Sequence, residues 1–220
     1  MTPPLVLLIS LHADPFSPSG VGGGGGTHAY LRELIKEFAL AGRPCGLITR
    51  RANPATEAVE ILNRRIRLFR IDTGPPGPLD KRRLNEFHDE AMREAREILP
   101  KLPTRPGVLH SVYWNSGRLA LDLSEETGIP YVHTVISNGV RRRLEGAHDQ
   151  PPEREIIERQ IFSRAWAIFS VSQEEKADLV THYGVDASNI RVVGRLVDAS
   201  FLEPAHDECG QARPIRFELP

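Results

Sequence analysis

Residues 5–50 read LVLLISLHADPFSPSGVGGGGGTHAYLRELIKEFALAGRPCGLITR, and this stretch decides the fold class. It contains an apolar run, a glycine-rich segment, a pattern with helical spacing and a second apolar run. Parallel strands are buried on both faces and therefore apolar throughout, so Leu5–Leu11 and Cys45–Thr49 predict strands. Between them, Thr27–Ala41 places apolar residues at helical intervals, and Gly42 ends the pattern. This order predicts a parallel sheet covered by helices.

The same alternation continues to about residue 193. It predicts further strands at Ile66–Ile71, Val108–Ser111, Pro130–Thr134, Ala167–Val171 and Ile190–Val193. It predicts further helices at Asp80–Leu99, Ser116–Thr127, Glu153–Arg164 and Gln173–His182. Residues 53–65 are polar and weakly patterned, and residues 137–150 are basic and predict a loop. We therefore expect one Rossmann-like α/β domain over residues 1–203, with a mainly parallel sheet of about seven strands. A linker is expected at 204–220.

The composition of the chain argues against several classes of binding partner. The 220 residues are 40% hydrophobic and 26% charged, and the formal net charge is -1. Without a net positive field the chain has no general attraction to polyanions, so no nucleic-acid partner is expected. Cys45 and Cys209 lie far apart, which argues against a disulfide scaffold and a metal site. The apolar run at 5–9 is too short for a membrane span or a signal segment, so a cytoplasmic location is expected.

The run Gly22–Gly26, followed by Thr27 and His28, is the strongest local candidate for a ligand site. Backbone N–H groups at a helix N-terminus bind anions, and glycine lets a phosphate approach the main chain closely. The spacing is not that of a dinucleotide site, because no acidic residue closes the second strand, which ends TRR at 49–51. The P-loop lysine is also missing. An NAD-dependent oxidoreductase and an ATPase are therefore disfavoured, and a flexible surface loop is the alternative.

Polar residues also follow the ends of three predicted strands, where open α/β sheets bind ligands. They are Ser10-Leu11-His12, Tyr113-Trp114-Asn115-Ser116-Gly117 and His133-Thr134. An aromatic ring beside the amide of Asn115 suits a polyol, because rings stack on C–H faces and amides bind hydroxyls. The alternatives are simple burial of Tyr113 and Trp114 and a satisfied polar role for a lone histidine. No cluster has the spacing of a metal site or of a Ser/His/Asp triad.

Basic residues offer a further candidate. The triplet Arg141-Arg142-Arg143 and Arg154 carry guanidinium groups that match phosphate geometry, although a solvated basic loop is the alternative for most of the triplet. Lys81 is one of only four lysines and begins the predicted long helix. On these patterns alone, the chain reads as an α/β domain that binds a phosphorylated or polyhydroxylated ligand.

Several motifs in a fixed order carry a resemblance to a known family. They are residues 10–50 quoted above, HSVYWNSG at 110–117, YVHT at 131–134 and SVSQEEKADLVTHYGVDASNIRVVGRLVDASFLEP at 170–204. Over about residues 5–204 the chain resembles retaining family 4 glycosyltransferases of the GT-B fold. Within that family, its motifs most resemble those of the sucrose-phosphate synthases and D-inositol-3-phosphate glycosyltransferases. The resemblance implies the N-terminal, acceptor-side half of a two-domain enzyme.

The resemblance also implies roles for individual residues. Gly25 and Gly26 match the paired glycines whose amides face the donor diphosphate and the reacting sugar. His133 matches the histidine that contacts the donor sugar beside the reaction centre. The positions matched to acceptor binding are His28 and a phosphate-holding set of Lys81, Tyr113, Thr134 and Arg154. Asn115 joins them on the polyol chemistry described above.

The chain departs from the family pattern in three ways. The motif His-Thr-x-His ends in Ile136 rather than a second histidine, and Pro-x-Gly-Val-Asp becomes GRLVD at 194–198. In the family a second domain binds the nucleotide and neutralises the leaving diphosphate, and the residues after Pro204 are too few to form one. We therefore expect that these 220 residues alone transfer no sugar.

The function implied is transfer of a glycosyl residue, with retention, from a nucleotide sugar to a small polyol or sugar, phosphorylated or not. The nucleotide sugar is a substrate, so no cofactor and no metal are expected. The expected partners are that acceptor and a donor-binding domain or partner chain, and self-association is expected through the exposed interdomain face. The alternatives are one subunit of a split glycosyltransferase and a non-catalytic ligand-binding or scaffold module that keeps the fold.

Overall fold

The computed structural model of the chain describes residues 3–16, 26–147 and 149–194. Its strands are β1 Leu5–Ile9, β2 Cys45–Arg50, β3 Val59–Ile61, β4 Ile66–Ile71, β5 Pro106–Val112, β6 Tyr131–Val135, β7 Ala167–Ser170 and β8 Ile190–Val192. Its α-helices are α1 Gly26–Leu40, α2 His88–Ile98, α3 Trp114–Thr127, α4 Gly139–Leu144, α5 Arg154–Arg164 and α6 Gln173–Tyr183. Short 3-10 segments lie at Lys81–Phe87, Leu99–Lys101 and Ala187–Asn189.

The described strands form one sheet in the order β3-β4-β2-β1-β5-β6-β7-β8. Neighbouring strands are parallel except β3, which pairs antiparallel with β4 at the sheet edge. The expected mainly parallel sheet is confirmed, with eight strands. After β1 the chain builds the sheet toward β3, then returns to place β5 on the other side of β1. Open sheets bind ligands outside the strand carboxyl ends at such a reversal, which here lies between β1 and β5.

Helices cover both faces of the sheet, and the side chains of β1 alternate between two cores. Leu7 and Ile9 belong to the larger core, together with residues of α2, α3, α5 and α6. Leu8 belongs to the smaller core with Leu31 and Ile35 of α1. Burying one such side chain contributes about 1.5–3 kcal/mol. The central strand is therefore fixed by apolar contacts on both sides.

Two segments for which the sequence predicts no helix or strand contain regular structure. Residues 137–150 include α4, which begins after Asn138 because its Oδ1 accepts a hydrogen bond of 2.8 Å from the Arg141 N–H and caps the helix. Residues 53–65 include β3, whose three residues pair with β4. The prediction of a loop at 137–150 was wrong where α4 forms. The cap and the strand pairing, rather than an apolar pattern, form these elements.

The predicted long helix Asp80–Leu99 has two parts. Its first turns, Lys81–Phe87, are a 3-10 segment, and the α-helix begins only at His88. Asp80 caps the 3-10 segment, because its Oδ1 accepts a hydrogen bond of 2.9 Å from the Arg82 N–H. Lys81 therefore stands at the first position of this segment.

Some predictions concern residues outside the described ranges. The linker expected at 204–220 and most of the glycine run, including Gly25, belong to them. Gly26 is described and is the first residue of α1.

None of the described helices has the length and apolar composition needed to cross a membrane.

Candidate functional site

A crevice at the carboxyl ends of β1, β5 and β6 gathers most of the predicted site residues. The segment after β1 and the start of α3 are joined there, since the Leu11 N–H donates a hydrogen bond of 3.0 Å to Ser116 Oγ. The start of α3 is also tied to β6, because the Tyr113 N–H donates to the Thr134 carbonyl at 3.2 Å. These two bonds join the ends of three strands at the point where the strand order reverses, which is where open α/β sheets form a ligand crevice.

The buried ring of Tyr113 is the group that His12, Lys81 and Arg154 all approach. It is 3% exposed, and the His12 ring centroid lies 4.5 Å from its own. Lys81 Nζ and Arg154 Cζ each lie 5.2 Å from the centre of the Tyr113 ring. Such distances allow cation–π attraction. The structure thus brings together three of the predicted acceptor residues from three separate parts of the chain.

Lys81 carries a positive charge that the described residues do not neutralise. The neighbouring carboxylate of Asp80 pairs with Arg82 instead. Partial burial lowers the pKa of the Lys81 ammonium, although much of the residue is exposed, and the charges of Arg154 and Arg142 lower it further. Neighbouring cations repel one another, which disfavours their charged forms, and an anion bound between them offsets this repulsion. This arrangement points to an anion site at the crevice.

Arg154 is the most deeply buried of these cations, with a side chain that is 2% exposed. Its Nε donates to Glu158 Oε1 at 2.8 Å, and its Nη2 donates to the Ser137 carbonyl at 2.8 Å and to Ser137 Oγ at 3.1 Å. Its Nη1 donates to Gln150. Five N–H groups are available on a guanidinium, so one Nη1 proton has no partner among the described residues. Arg154 is therefore held rigidly, with little spare capacity for a ligand.

His133 and Thr134 are adjacent on β6 and face opposite sides of the sheet. The His133 ring is 1% exposed, and its Nδ1 lies 2.8 Å from Ser111 Oγ. Burial lowers the pKa of His133 to about 3, with a smaller contribution from His110, so the ring is neutral at physiological pH.

Thr134 does not present its hydroxyl to the crevice. Its Oγ1 lies 2.7 Å from His110 Nε2 and 3.3 Å from the Tyr30 hydroxyl, and the residue is fully buried. Its carbonyl instead accepts from Tyr113, as described above. The structure therefore places Thr134 behind the expected acceptor site, where it supports the backbone of Tyr113.

Several buried polar atoms around the crevice have no hydrogen-bond partner among the described residues. A buried polar group without a partner costs about 1–3 kcal/mol, so a cluster of them marks a place where a ligand could bind. The atoms are Ser10 Oγ, His12 Nδ1, His28 Nδ1, Trp114 Nε1, and Nδ2 and Oδ1 of Asn115. They lie after β1, at the start of α1 and at the start of α3. The predicted residues His28 and Asn115 are among them.

His12 was noted in the sequence but given no role there. Burial, with smaller contributions from the charges of Lys81 and His28, lowers the pKa of His12 to about 3. The His28 pKa is also lowered by burial, an effect that Asp14 opposes. Both histidines are therefore neutral near pH 7, and their unpartnered nitrogens offer hydrogen bonds rather than charge.

Arg50 also went unnoticed as a contributor to the site. Its guanidinium donates to the carbonyls of Thr73 at 2.9 Å, Gly77 at 3.0 Å and Pro75. It thereby fixes the loop that leads to Lys81. No local pattern indicates this, because the bonds join β2 to a segment more than twenty residues away. Among the described residues, no group of three His, Cys, Asp or Glu side chains could hold a metal ion.

Comparison with known sequences identifies relatives. The sequence model of the family described as Glycosyltransferase Family 4 matches residues 24–201. The chain is 33% identical over 204 residues to the D-inositol 3-phosphate glycosyltransferase of Pseudarthrobacter chlorophenolicus, across 91% of this chain and 49% of that protein. It is 32% identical to the enzyme of the same name from Arthrobacter sp. strain FB24, across 91% of this chain and 48% of that protein. The chain spans about half the length of these curated relatives.

Comparison with solved structures agrees on the fold. Sucrose-phosphate synthase from Thermosynechococcus elongatus superposes with a TM-score of 0.82 at 24% identity, across 92% of this chain and 50% of that one. The catalytic domain of starch synthase IV from Arabidopsis thaliana, bound to ADP and acarbose, superposes with a TM-score of 0.55 at 12% identity. The match covers 94% of this chain and 54% of that domain. The expected fold, one half of a GT-B architecture, is confirmed.

Proposed function

Since the chain belongs to glycosyltransferase family 4, we propose that its crevice binds the acceptor of a retaining glycosyl transfer from a nucleotide sugar. The acceptor is a small polyol or sugar that carries a phosphate group. The relatives named D-inositol 3-phosphate glycosyltransferase make an inositol phosphate the first acceptor to test. The nucleotide sugar is a substrate, and the reaction needs no further cofactor.

The observation that carries this proposal is the pair of cations beside the Tyr113 ring. Lys81 has no ion-pair partner among the described residues, so its ammonium group is available to a phosphate. Arg154 is paired with Glu158 and contributes one free Nη1 proton. The Tyr113 ring supplies an apolar surface for the C–H groups of a polyol. The unpartnered amide of Asn115 and Nδ1 of His28 supply hydrogen bonds for hydroxyl groups.

The donor side of the proposal rests on fewer observations. In this proposal His133, in the middle of β6, contacts the donor sugar and the Gly26 amide faces its diphosphate, while the same role for Gly25 rests on the sequence alone. Gly26 stands at the N-terminus of α1, where N–H groups lack helical partners and can bind an anion. The remaining charge on the leaving diphosphate is neutralised by a donor-binding domain or a partner chain. We therefore propose that these 220 residues alone transfer no sugar.

Calorimetric titration of the chain with three ligands tests the acceptor site. D-inositol 3-phosphate should bind. Both myo-inositol and inorganic phosphate should bind more weakly, because the first lacks the phosphate group and the second lacks the polyol ring. Lys81→Ala should weaken binding of the phosphorylated ligand by about 10- to 100-fold, since a hydrogen bond to a charged group contributes about 1.5–3 kcal/mol.

Lys101→Ala is the matched control. Lys101 is also a lysine, its side chain is 61% exposed, and it lies outside the crevice. Its removal should leave the affinity unchanged. Equal binding of myo-inositol and its phosphate, or an unaltered affinity in Lys81→Ala, would contradict the proposed acceptor site. Release of nucleoside diphosphate from a nucleotide sugar by the chain alone would contradict the proposed need for a donor-binding partner.

The proposed partners extend beyond the acceptor. A lone acceptor-side domain exposes the face that its donor-binding partner covers, and we propose that this face also supports self-association. A cytoplasmic location stays a prediction from the sequence.

A further inference from the structure

The imidazole ring of His133 is held by contacts on several sides. Its Nδ1 lies 2.8 Å from Ser111 Oγ, and its centroid lies 5.7 Å from that of Phe162. The backbone of α3 approaches its edge so closely that a Cβ atom on Gly117 would stand 2.8 Å from Cε1. Ser111 and His133 are also register partners on the adjacent parallel strands β5 and β6. The ring therefore has one orientation, and a side chain at position 117 would displace it.

Ser111 makes a second contact that determines the direction of the first. Its hydroxyl donates to the carbonyl of Val132 at 3.3 Å. A hydroxyl has one proton, and a carbonyl oxygen can only accept. If that proton goes to Val132, the bond to His133 forms only when Nδ1 carries a proton and donates it to Oγ. Both contacts of Ser111 are satisfied in one tautomer of His133 and not in the other.

The other ring nitrogen remains available to a ligand. His133 Nε2 has no hydrogen-bond partner among the described residues, and it is not one of their fully buried unpartnered polar atoms, so the Nε2 edge of the ring reaches the surface. The choice of tautomer therefore rests on the two contacts of Ser111. Because burial lowers the pKa of His133 to about 3, the ring carries a single proton at neutral pH. That proton can occupy Nδ1 or Nε2, and the surroundings favour Nδ1.

We propose that Ser111 is a positioning residue that fixes His133 as the Nδ1–H tautomer and leaves Nε2 free to accept a hydrogen bond from a sugar hydroxyl. His133 then orients the sugar as a neutral acceptor and donates no proton from Nε2. The use of Nε2 rests on the proposed glycosyl transfer, whereas the tautomer is a property of the chain by itself. The two can therefore fail separately.

Nuclear magnetic resonance of the uniformly ¹⁵N-labelled chain measures the tautomer directly. Long-range ¹H–¹⁵N correlations distinguish protonated from unprotonated imidazole nitrogens, and the spectrum of His133→Gln assigns the signals of His133 among the eight histidines. At pH 7 we expect Nδ1 in the protonated region and Nε2 in the unprotonated region. A protonated Nε2 in the wild-type chain would overturn the proposal.

Substitution of Ser111 tests the cause. In Ser111→Ala the acceptor for Nδ1–H is gone, so the signals should shift toward the Nε2–H tautomer that free imidazole of histidine favours. Ser10→Ala is the matched control, because Ser10 is also fully buried at a strand end and its Oγ has no partner among the described residues. It should leave the His133 signals in place. Wild-type signals in Ser111→Ala would overturn the proposal, whether or not the chain transfers sugar.

A second pair of variants keeps the test decisive if Ser111→Ala fails to fold. Ser111→Thr and Ser111→Val have nearly the same volume and differ in one hydroxyl. We expect the threonine variant to retain the Nδ1–H tautomer and the valine variant to lose it. If His133 has the same tautomer in both variants, the proposal is overturned, because the shape of the side chain rather than its hydroxyl would then determine the tautomer.

Discussion

Tyr113 adopts a backbone conformation that few residues other than glycine adopt. Its φ of 74° and ψ of 155° turn the chain from β5 into α3, and it is the one non-glycine residue with positive φ in the described part of the chain. Such a conformation costs about 1–3 kcal/mol and persists when the surrounding contacts over-determine it. Here the contacts include the ring of His12 and the bond to the Thr134 carbonyl. Strain at a crevice that gathers cations is consistent with a binding role for Tyr113.

Glycine and alanine at position 113 should separate backbone strain from the loss of the ring. Both variants remove the ring, but Tyr113→Gly also relieves the strain. We expect Tyr113→Gly to be more stable than Tyr113→Ala by about 1 kcal/mol in urea unfolding.

The exposed helical residue Glu125 provides the control pair. At this position in α3 the order should reverse, with alanine more stable than glycine by about 1 kcal/mol. An alanine variant at position 113 at least as stable as the glycine variant would show that Tyr113 is not strained.

At the scale of one element, the loop at residues 73–80 owes its shape to an arginine on another element. Arg50 projects from β2 and donates hydrogen bonds to three carbonyls of this loop, and it has no acidic partner among the described residues. Burial lowers the pKa of Arg50, but its three acceptors satisfy the guanidinium as neutral hydrogen-bond partners. The Gly74 N–H adds a bond of 2.8 Å to Glu90 Oε2 of α2. The position of Lys81 thus depends on contacts to β2 and α2.

Replacement of Arg50 by methionine should loosen this loop. We expect faster amide hydrogen exchange at residues 74–80 and a loss of about 1.5–3 kcal/mol in the free energy of unfolding, because three carbonyls lose a charged donor. Affinity for the phosphorylated ligand should also fall several-fold. Arg51→Met is the control, since Arg51 pairs with Asp72, whose side chain is 60% exposed. Equal exchange rates in the two variants would contradict the role of Arg50.

At the scale of the whole molecule, buried histidines make stability depend on pH. Burial lowers the pKa of His12 and His133 to about 3 and that of His110 to about 4. In the unfolded chain a histidine titrates near about 6.5. Below that pH the unfolded state binds more protons than the folded state, so acid favours unfolding. The stability that these groups contribute is complete above about pH 6.5 and is lost as the pH falls toward their folded-state pKa values.

Urea unfolding at a series of pH values measures this dependence. Between about pH 6 and pH 4, each of the three histidines should lower the free energy of unfolding by about 1.4 kcal/mol for each pH unit of acidification. The three together should lower it by about 4 kcal/mol per pH unit. His110→Gln should reduce the slope by about one third. A free energy that stays constant from about pH 7 to pH 5 would show that these histidines are not buried in neutral form.

The sheet and most of its helices follow from local patterns in the sequence, whereas the site does not. The apolar run of β1 and the helical spacing of α1 require no knowledge of distant residues. Lys81 and Arg154 meet Tyr113 because the strand order reverses between β1 and β5, which no local pattern encodes. The contact of Ser111 with His133 depends on the register of β5 and β6, and a slip of one residue would turn the two side chains to opposite faces.

The elements that the sequence did not predict share one property. The strand β3 has three residues and the helix α4 has six, so neither is long enough to show a period. Their formation depends on a neighbour, β4 for the strand and the Asn138 cap for the helix. Apolar periodicity in the sequence indicates elements that bury an apolar stripe, and neither β3 nor α4 is long enough to show one.

The order of the strands also bears on how the protein is made. Among the described strands, β1 is the first to leave the ribosome and lies between β2 and β5 in the finished sheet. β2 joins one side of β1, β3 and β4 extend that side, and β5 to β8 add one after another on the other side. Each strand or hairpin can therefore dock on an outer edge in the order of synthesis, and none has to separate two strands that have already paired. The strand order thus permits the sheet to assemble from its centre outward as the chain is synthesised.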